Sequence, residues 1–474
     1  MTVVEKLSMG VPGLDILTYG GIPKGRTTLI AGRSGAGKSI LGLQIACHLA
    51  RSGIKTIIIA VEEEPADLAT TGDALGFKFS ELVASSLLHI TDLTSTGDGY
   101  TTVTGEYDVS GLVHRIRATV EKTGAAALVL DSSTALFNER PSEVQLRKLF
   151  FQLVHALKTM RLTSIVTAEA SADYGQHTVL GVEDFVCDLV ITLRNVVDGE
   201  RRRRSIEIHK FRRSGHYKGE YPCTITAKGI SVFPLDAPDH EVASSTNRYS
   251  SGVEGLDRMN MGGWLRDSIV LVRGPTGSGK TTIAGMYARA GATRGERVVY
   301  YGFEEPKPIL LRNFTSIGLP MDEMEKTGNL QIRCRYPEAT SPEDLLIDLR
   351  IGLEEFKPDL IVLDSISSIE HATSAPTFRH FMIGLASLLR EHGRSALLTQ
   401  TIASHTETEQ TAPYLSTVCD AILVLDYSLN RATLTRTMRV LKMRGSNHAT
   451  DQHRLMIQQG GLVVTPPTPE PSPS

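Results

Sequence analysis

The chain has 474 residues, of which 41% are hydrophobic and 22% charged, with a formal net charge of −3. That length exceeds what one hydrophobic core usually spans, so a globular protein of two ordinary domains is expected. The slightly acidic balance excludes a global basic field toward nucleic acid, and no uncharged apolar run approaches the ~20 residues that cross a bilayer.

In chain order, MTVVEKLSMG lacks a basic segment followed by an apolar one, so no secretory signal is read there. Ser8-Met9-Gly10-x-x-Gly13-Leu14-Asp15 follows, a segment whose Asp15 suits a structural turn. TTLIAG then reads as a buried strand running into Gly32-x4-Gly37-Lys38-Ser39, with a helical pattern behind it. In such a loop the backbone N–H groups of Gly35, Ala36 and Gly37 and the helix N-terminus cradle phosphate oxygens. Lys38 reaches the β- and γ-phosphates, and Ser39 gives an oxygen to Mg²⁺.

KTIIIAV ends on Glu62-Glu63, a carboxylate pair suited to orienting or deprotonating a nucleophile. AALVLDSS places Asp131 at the C-terminal end of a buried strand, where it faces the ligand crevice and helps hold Mg²⁺. Helical periodicity over 143–160 and the strands TSIVTAEA and DLVITL complete an alternating pattern, the mark of an α/β fold with a largely parallel, helix-covered sheet. Arg201-Arg202-Arg203-Arg204 stands alone in a net-acidic chain and reads as a solvated or interface charge run.

The second half repeats the first. At an offset of 242, Asp257 answers Asp15, Gly274-x4-Gly279-Lys280-Thr281 answers the first phosphate loop, and Glu304-Glu305 answers Glu62-Glu63. The second loop therefore supplies Thr276, Gly277, Ser278, Gly279, Lys280, Thr281 and Thr282 to nucleotide, and Thr281 is joined on the metal by the strand-end acids Glu305 and Asp364, the latter answering Asp131. Lys210, Arg212, Ser214 and His216 return as Lys442, Arg444, Ser446 and His448, basic sets far from their own phosphate loops. They suit a finger reaching a neighbouring subunit's nucleotide, and imply a ring. The boundaries expected are a first RecA-like domain over 1–235, a linker over 236–249, a second domain over 250–460 and a Pro/Ser-rich disordered tail over 461–474. Five scattered cysteines without C-x-x-C spacing argue for reduced, buried thiols in a cytoplasm.

The halves differ just before the late strands. Register on Val186-Cys187-Asp188 and Val418-Cys419-Asp420 sets Val182-Glu183-Asp184-Phe185 against Tyr414-Leu415-Ser416-Thr417, so only the second half has two adjacent hydroxyls there. By themselves these could start or cap a strand.

Over about residues 5–460 the chain resembles the KaiC family, most closely in LRNVVDGERRRRSIEIHKFRRSGHYKGEYPCTITAKGISVFPL and VLKMRGSNH. The resemblance implies a two-tiered homohexamer with ATP and Mg²⁺ at subunit interfaces and a KaiB-like partner on the first domain. It makes Glu62 the catalytic carboxylate of slow hydrolysis in the first domain and Glu304 that of a serine/threonine autokinase in the second, with autophosphatase activity beside it. Ser416 and Thr417 match the family's phosphorylated pair, and Thr411 a nearby threonine that shuttles phosphate. Lys210, Phe211, Arg212, Ser214, His216 and Thr226 match the first tier's contacts to a neighbour's nucleotide; Arg436, Lys442, Met443, Arg444, Ser446 and His448 match the second tier's. His371, Ile317 and Thr450 depart from the family's Arg, Trp and Lys, and the sequence stops soon after MIQQGGLVVT, so a KaiA-type activator is not expected. A RecA-type DNA motor would need a basic and aromatic loop, which is missing. A nucleotide-held scaffold would leave both Glu pairs idle.

Overall fold

The structure, a computed structural model, describes residues 4–92, 109–133, 143–170, 172–174, 186–198, 201–234, 245–336, 341–402, 413–430 and 433–466. The chain divides into two compact units, Met1–Asp236 and Ala237–Ser474. Among the described residues each is built on a nine-stranded sheet.

In the first unit the strand order is Gly229–Val232, Glu220–Thr226, Arg201–Phe211, Leu189–Asp198, Thr27–Gly32, Thr163–Glu169, Ala127–Asp131, Thr56–Ala60 and Leu88–Asp92. The six strands from Leu189–Asp198 onward run parallel, and the three before them extend the sheet antiparallel. The second unit repeats the order in mirror listing: Leu330–Cys334, Val298–Gly302, Leu360–Asp364, Ser395–Thr401, Ile269–Gly274, Ala421–Asn430, Thr433–Met443, His453–Gln458 and Gly461–Thr465. These are two tandem RecA-like α/β domains with mostly parallel sheets.

The central strands are unbroken β-branched and apolar runs because both of their faces are covered. In the first unit Ile30, Ile58 and Val129 pack against Leu41, Ile45 and Leu49 of the helix Lys38–Arg51. Leu29, Ile57, Leu128 and Leu130 point the other way, onto Phe150, Leu153 and Leu157 of the helix Glu143–Thr159. Each such side chain contributes about 1.5–3 kcal/mol relative to leaving it in water. The first phosphate loop therefore leaves a strand packed on both faces.

Two boundaries differ from expectation. Residues 461–465 form the edge strand Gly461–Thr465, paired with His453–Gln458, instead of opening a disordered tail. Its GLVVT is apolar and β-branched, and Leu462 and Val464 are buried in the second core, so sheet pairing outweighs the Pro/Ser composition that follows. Arg248–Tyr249, expected in the linker, pairs with Trp264–Leu265 and buries Tyr249. Residues 467–474, like Thr411 and the first-half segment 182–185, lie outside the described residues.

Asp15 accepts from the Ser8 hydroxyl at 2.6 Å and the Met9 N–H at 2.9 Å, and Asp257 does the same with Ser250 and Ser251. These are the turn roles expected of them. The tetra-arginine run begins the strand Arg201–Phe211, where Arg202 donates to the Asn195 carbonyl at 3.1 Å. No helix among the described residues is long and apolar enough to cross a membrane.

Cys47, Cys187, Cys223 and Cys419 are buried and Cys334 is half-buried. Burial pushes the Cys47 and Cys419 thiols up to about 12. At pH 8 only about one in 10⁴ of either is thiolate, against about a quarter for an ordinary cysteine. Iodoacetamide at pH 8 is expected to spare both in the native protein and to label them after denaturation. Peptide mass mapping reads the result, and fast native labelling of Cys419 would contradict the burial.

Candidate nucleotide and phosphoryl-acceptor sites

Both phosphate loops turn on glycines in the left-handed region: Gly35 at φ 76° and Gly37 at φ 107°, Gly277 at φ 76° and Gly279 at φ 108°. A side chain there would be strained, so glycine is what lets the loop curl and hand over to a 14-residue helix. Those helices begin at Lys38 and Lys280, with no side chain capping the first turn. Their leading N–H groups and positive dipole end form a ready anion seat.

Lys38 donates to the Arg33 carbonyl at 3.1 Å; Lys280 donates to the Gly274 and Pro275 carbonyls at 3.0 and 2.9 Å. Burial lowers both ammonium groups, opposed by Glu169, Asp131 and Glu62 around Lys38 and by Asp364 and Glu304 around Lys280. Ala36 and Ser278 are buried, while Ser39, Thr281 and Thr282 are half-buried on the first helical turn. The loops are braced differently. Asn195 donates to the Gly35 carbonyl at 3.3 Å and Arg33 pairs with Asp173 at 3.1 Å. In the second domain the Tyr427 hydroxyl donates to the Thr276 carbonyl at 3.1 Å and Arg436 Nε to the Gly277 carbonyl at 3.0 Å. Arg436, assigned by resemblance to a neighbour's nucleotide, thus touches its own phosphate loop.

Glu62 is exposed and accepts from the Ser132 hydroxyl at 2.8 Å. Glu63 titrates above the usual carboxylate range, through burial first and then the charges of Asp131, Asp67 and Glu62. Glu304 is exposed at the second site, whereas Glu305 accepts from Asn313 at 2.9 Å. In the second domain a cavity of about 320 Å³ is lined by Thr281, Thr282, Glu304, Glu305 and Asp364 together with Leu310, Phe314 and Ile317. Acidic, hydroxylated and apolar groups share this lining, as a phosphate-bearing aromatic base requires. Glu169 was not singled out from sequence. It ends its strand in register with Gly32 and its charge acts on Lys38, while Thr401 holds the same register beside Gly274.

Asp131 accepts from Thr167. Asp364 is buried, and its carboxyl is raised by burial against hydrogen bonds from Thr399, Tyr300 and Thr281. Among the described residues no group of three or more His, Cys, Asp or Glu gathers to hold a metal alone. Thr281 and Asp364 are hard oxygen donors, the set that leaves Mg²⁺ its waters and its phosphate ligands, and the buried Ser278 hydroxyl has no protein partner. The residues fit a magnesium–nucleotide complex.

Ser416, half-buried, and Thr417, exposed, lie on the short helix Pro413–Val418. Its terminal carbonyls are held by cations. Lys442 donates to the carbonyls of Ser416 and, at 2.9 Å, of Cys419; Arg444 reaches that of Thr417 at 2.8 Å and Arg390 that of Val418 at 3.0 Å. Arg444 also pairs with Asp420 at 3.3 Å. Lys442 and Arg444 therefore hold the end of the helix that carries Ser416 and Thr417.

The remaining predicted contacts are scattered along the late strands. Phe211 is buried beneath the Lys6 ammonium, 4.8 Å from its ring, and Met443 is half-buried. The backbone N–H of Arg212 donates to Asp188 and that of Arg444 to Asp420, at 2.7 and 2.8 Å. Ser214 and Ser446 donate to the carbonyls of Gly215 and Asn447. His216 is lowered by burial, then by Lys218 and His209, and His448 Nδ1 is buried without a protein partner. Thr226 closes the turn to Gly229 at 3.1 Å. Lys210 is half-buried on its strand.

A family model described as "ATPase: KaiC" matches residues 7–237 and again 249–469. The chain belongs to the KaiC family of ATPases. A circadian clock oscillator protein KaiC of Picosynechococcus is 39% identical over 470 residues, covering 97% of this chain and 90% of that protein. The circadian clock protein KaiC3 of Synechocystis is 38% identical over 466 residues, 98% of this chain and 92% of its own. A KaiC of Parathermosynechococcus lividus is 36% identical, covering 97% and 85%. Membership in the KaiC family fits the duplicated match onto two RecA-like units, each with its own phosphate loop.

Proposed function

We propose that this KaiC-family ATPase assembles as a homohexamer around Mg·ATP, hydrolyses it slowly in the first domain, and phosphorylates its own Ser416 and Thr417 from the second, serving as a clock or signalling protein. The observation that carries the reading is the grip of Lys442 and Arg444 on the acceptor helix. Cations that reach a neighbour's phosphates bring the hydroxyls of their own chain with them.

Bound Mg·ATP supplies the phosphoryl group and its charge neutralisation. Lys280 turns from its two backbone carbonyls toward the phosphates, and Thr281 and Asp364 hold the metal side of the site. Glu304 takes the proton from the hydroxyl of Ser416 or Thr417 of the neighbour as the new P–O bond forms and the bond to ADP breaks. In the first domain, whose sequence has no adjacent hydroxyl pair at the matching place, Glu62 aligns water instead, with the Ser132 hydroxyl on one of its oxygens.

Incubation of the purified protein with Mg·ATP, followed by phosphosite mapping, is expected to find phosphate on Ser416 and Thr417. Phosphate confined to other residues, or none at all, would sink the autokinase reading. Nucleotide removal should move the scattering mass from hexamer toward monomer, because a ligand that binds only the assembled form favours it by mass action.

A further inference from the structure

The two metal-side aspartates are not equivalent. On the strand beside Asp131 stands Ile58, in register with Val129; at the matching place beside Asp364 stands Tyr300, in register with Val362. Tyr300 is fully buried, and its hydroxyl donates to Asp364 Oδ2 at 2.6 Å. Thr399 donates to Oδ1, as Thr167 does to Asp131, and the Thr281 hydroxyl bonds the same carboxyl. The second-domain carboxylate thus has a hydrogen-bond donor on each oxygen, one of which the hydrocarbon of Ile58 cannot provide in the first.

A carboxylate has about four lone-pair sites. With one on each oxygen committed, Asp364 cannot rotate about its Cβ–Cγ bond without breaking both bonds, and its free lone pairs keep a fixed direction. Inside the fold those bonds are electrostatically strong. Partners of this kind behind a metal ligand typically govern 10–100-fold in affinity.

We propose that Tyr300 is a positioning residue for the second domain's divalent cation: it holds the Asp364 carboxylate turned toward the metal beside Thr281, a support the first domain lacks. The proposal rests on the magnesium–nucleotide reading of the two phosphate loops. Tyr300→Phe keeps the ring and its edge contact with Phe314, at 5.9 Å between centroids, and removes only the hydroxyl. Tyr300→Leu puts hydrocarbon there, as in the first domain.

The test uses the full chain with a non-hydrolysable ATP analogue and Mn²⁺ as the probe, free Mn²⁺ being read by electron paramagnetic resonance. Asp131→Asn and Asp364→Asn assign the two binding classes. In both Tyr300 variants the second-domain class should weaken about tenfold, with the first-domain class and metal-free nucleotide affinity unchanged. A lower melting temperature with unaltered Mn²⁺ affinity would mean a packing role and overturn the proposal, as would equal weakening in both classes. If the unmutated protein binds no Mn²⁺ with the analogue, the nucleotide-site reading itself fails, and this proposal with it.

Discussion

Glu304→Gln is expected to lower phosphate incorporation at Ser416 and Thr417 by about 10²- to 10⁴-fold, the usual reach of a general base. Glutamine keeps the size of the side chain and loses its basicity. Glu305, already accepting from Asn313 on the cavity wall, does not replace it. Hydrolysis in the first domain should persist, because Glu62 belongs to a separate unit and a separate phosphate loop. The loss should also be repairable. Glu304→Gln subunits still carry acceptor hydroxyls, whereas subunits with Ser416→Ala and Thr417→Ala still carry a working base. In co-assembled hexamers the second kind can phosphorylate the first, so incorporation should return. Phosphate at the unmutated level in Glu304→Gln alone, or no recovery on mixing, would count against transfer between subunits.

Arg444→Ala should cut incorporation by about 10³-fold or more, the range typical of an arginine finger. Two losses combine. The cation that stabilises charge on the transferred group goes, and so does the donor to the Thr417 carbonyl at 2.8 Å that holds the acceptor helix in place. Arg444→Lys keeps the charge without the planar fork and should recover only part of the rate. Here mixing with the double-alanine subunits should fail. Finger and hydroxyls ride on the same chain, so each interface has either acceptors without a finger or a finger without acceptors. Recovery on mixing would show that the finger comes from a different subunit than the acceptor. Phosphosite mass spectrometry on isotopically distinguished subunits reads both experiments.

Much of this molecule is legible in one dimension. The repeat, the phosphate loops, the acids at strand ends and the parallel α/β class all follow from local signals. A glycine-rich turn, a buried β-branched run and a strand-terminal carboxylate each need only neighbours in sequence to be recognised. The antiparallel extension, with GLVVT at its edge, was less visible, because a short apolar strand beside a Pro/Ser-rich segment declares itself only through the strand it pairs with. The adjacency of Ser416 and Thr417 is likewise written in the sequence. That Lys442 and Arg444 grip the same short helix from a later strand is not, since the contacts span 23 to 27 residues and depend on how the strand returns. Nor does Tyr300 announce itself. In sequence it is one more large residue in a core strand, like Ile58 in the first half. Only the pairing of that strand with Leu360–Asp364 brings a phenol hydroxyl to a buried carboxylate, and the energetic weight of that meeting comes from burial, which tertiary packing alone decides.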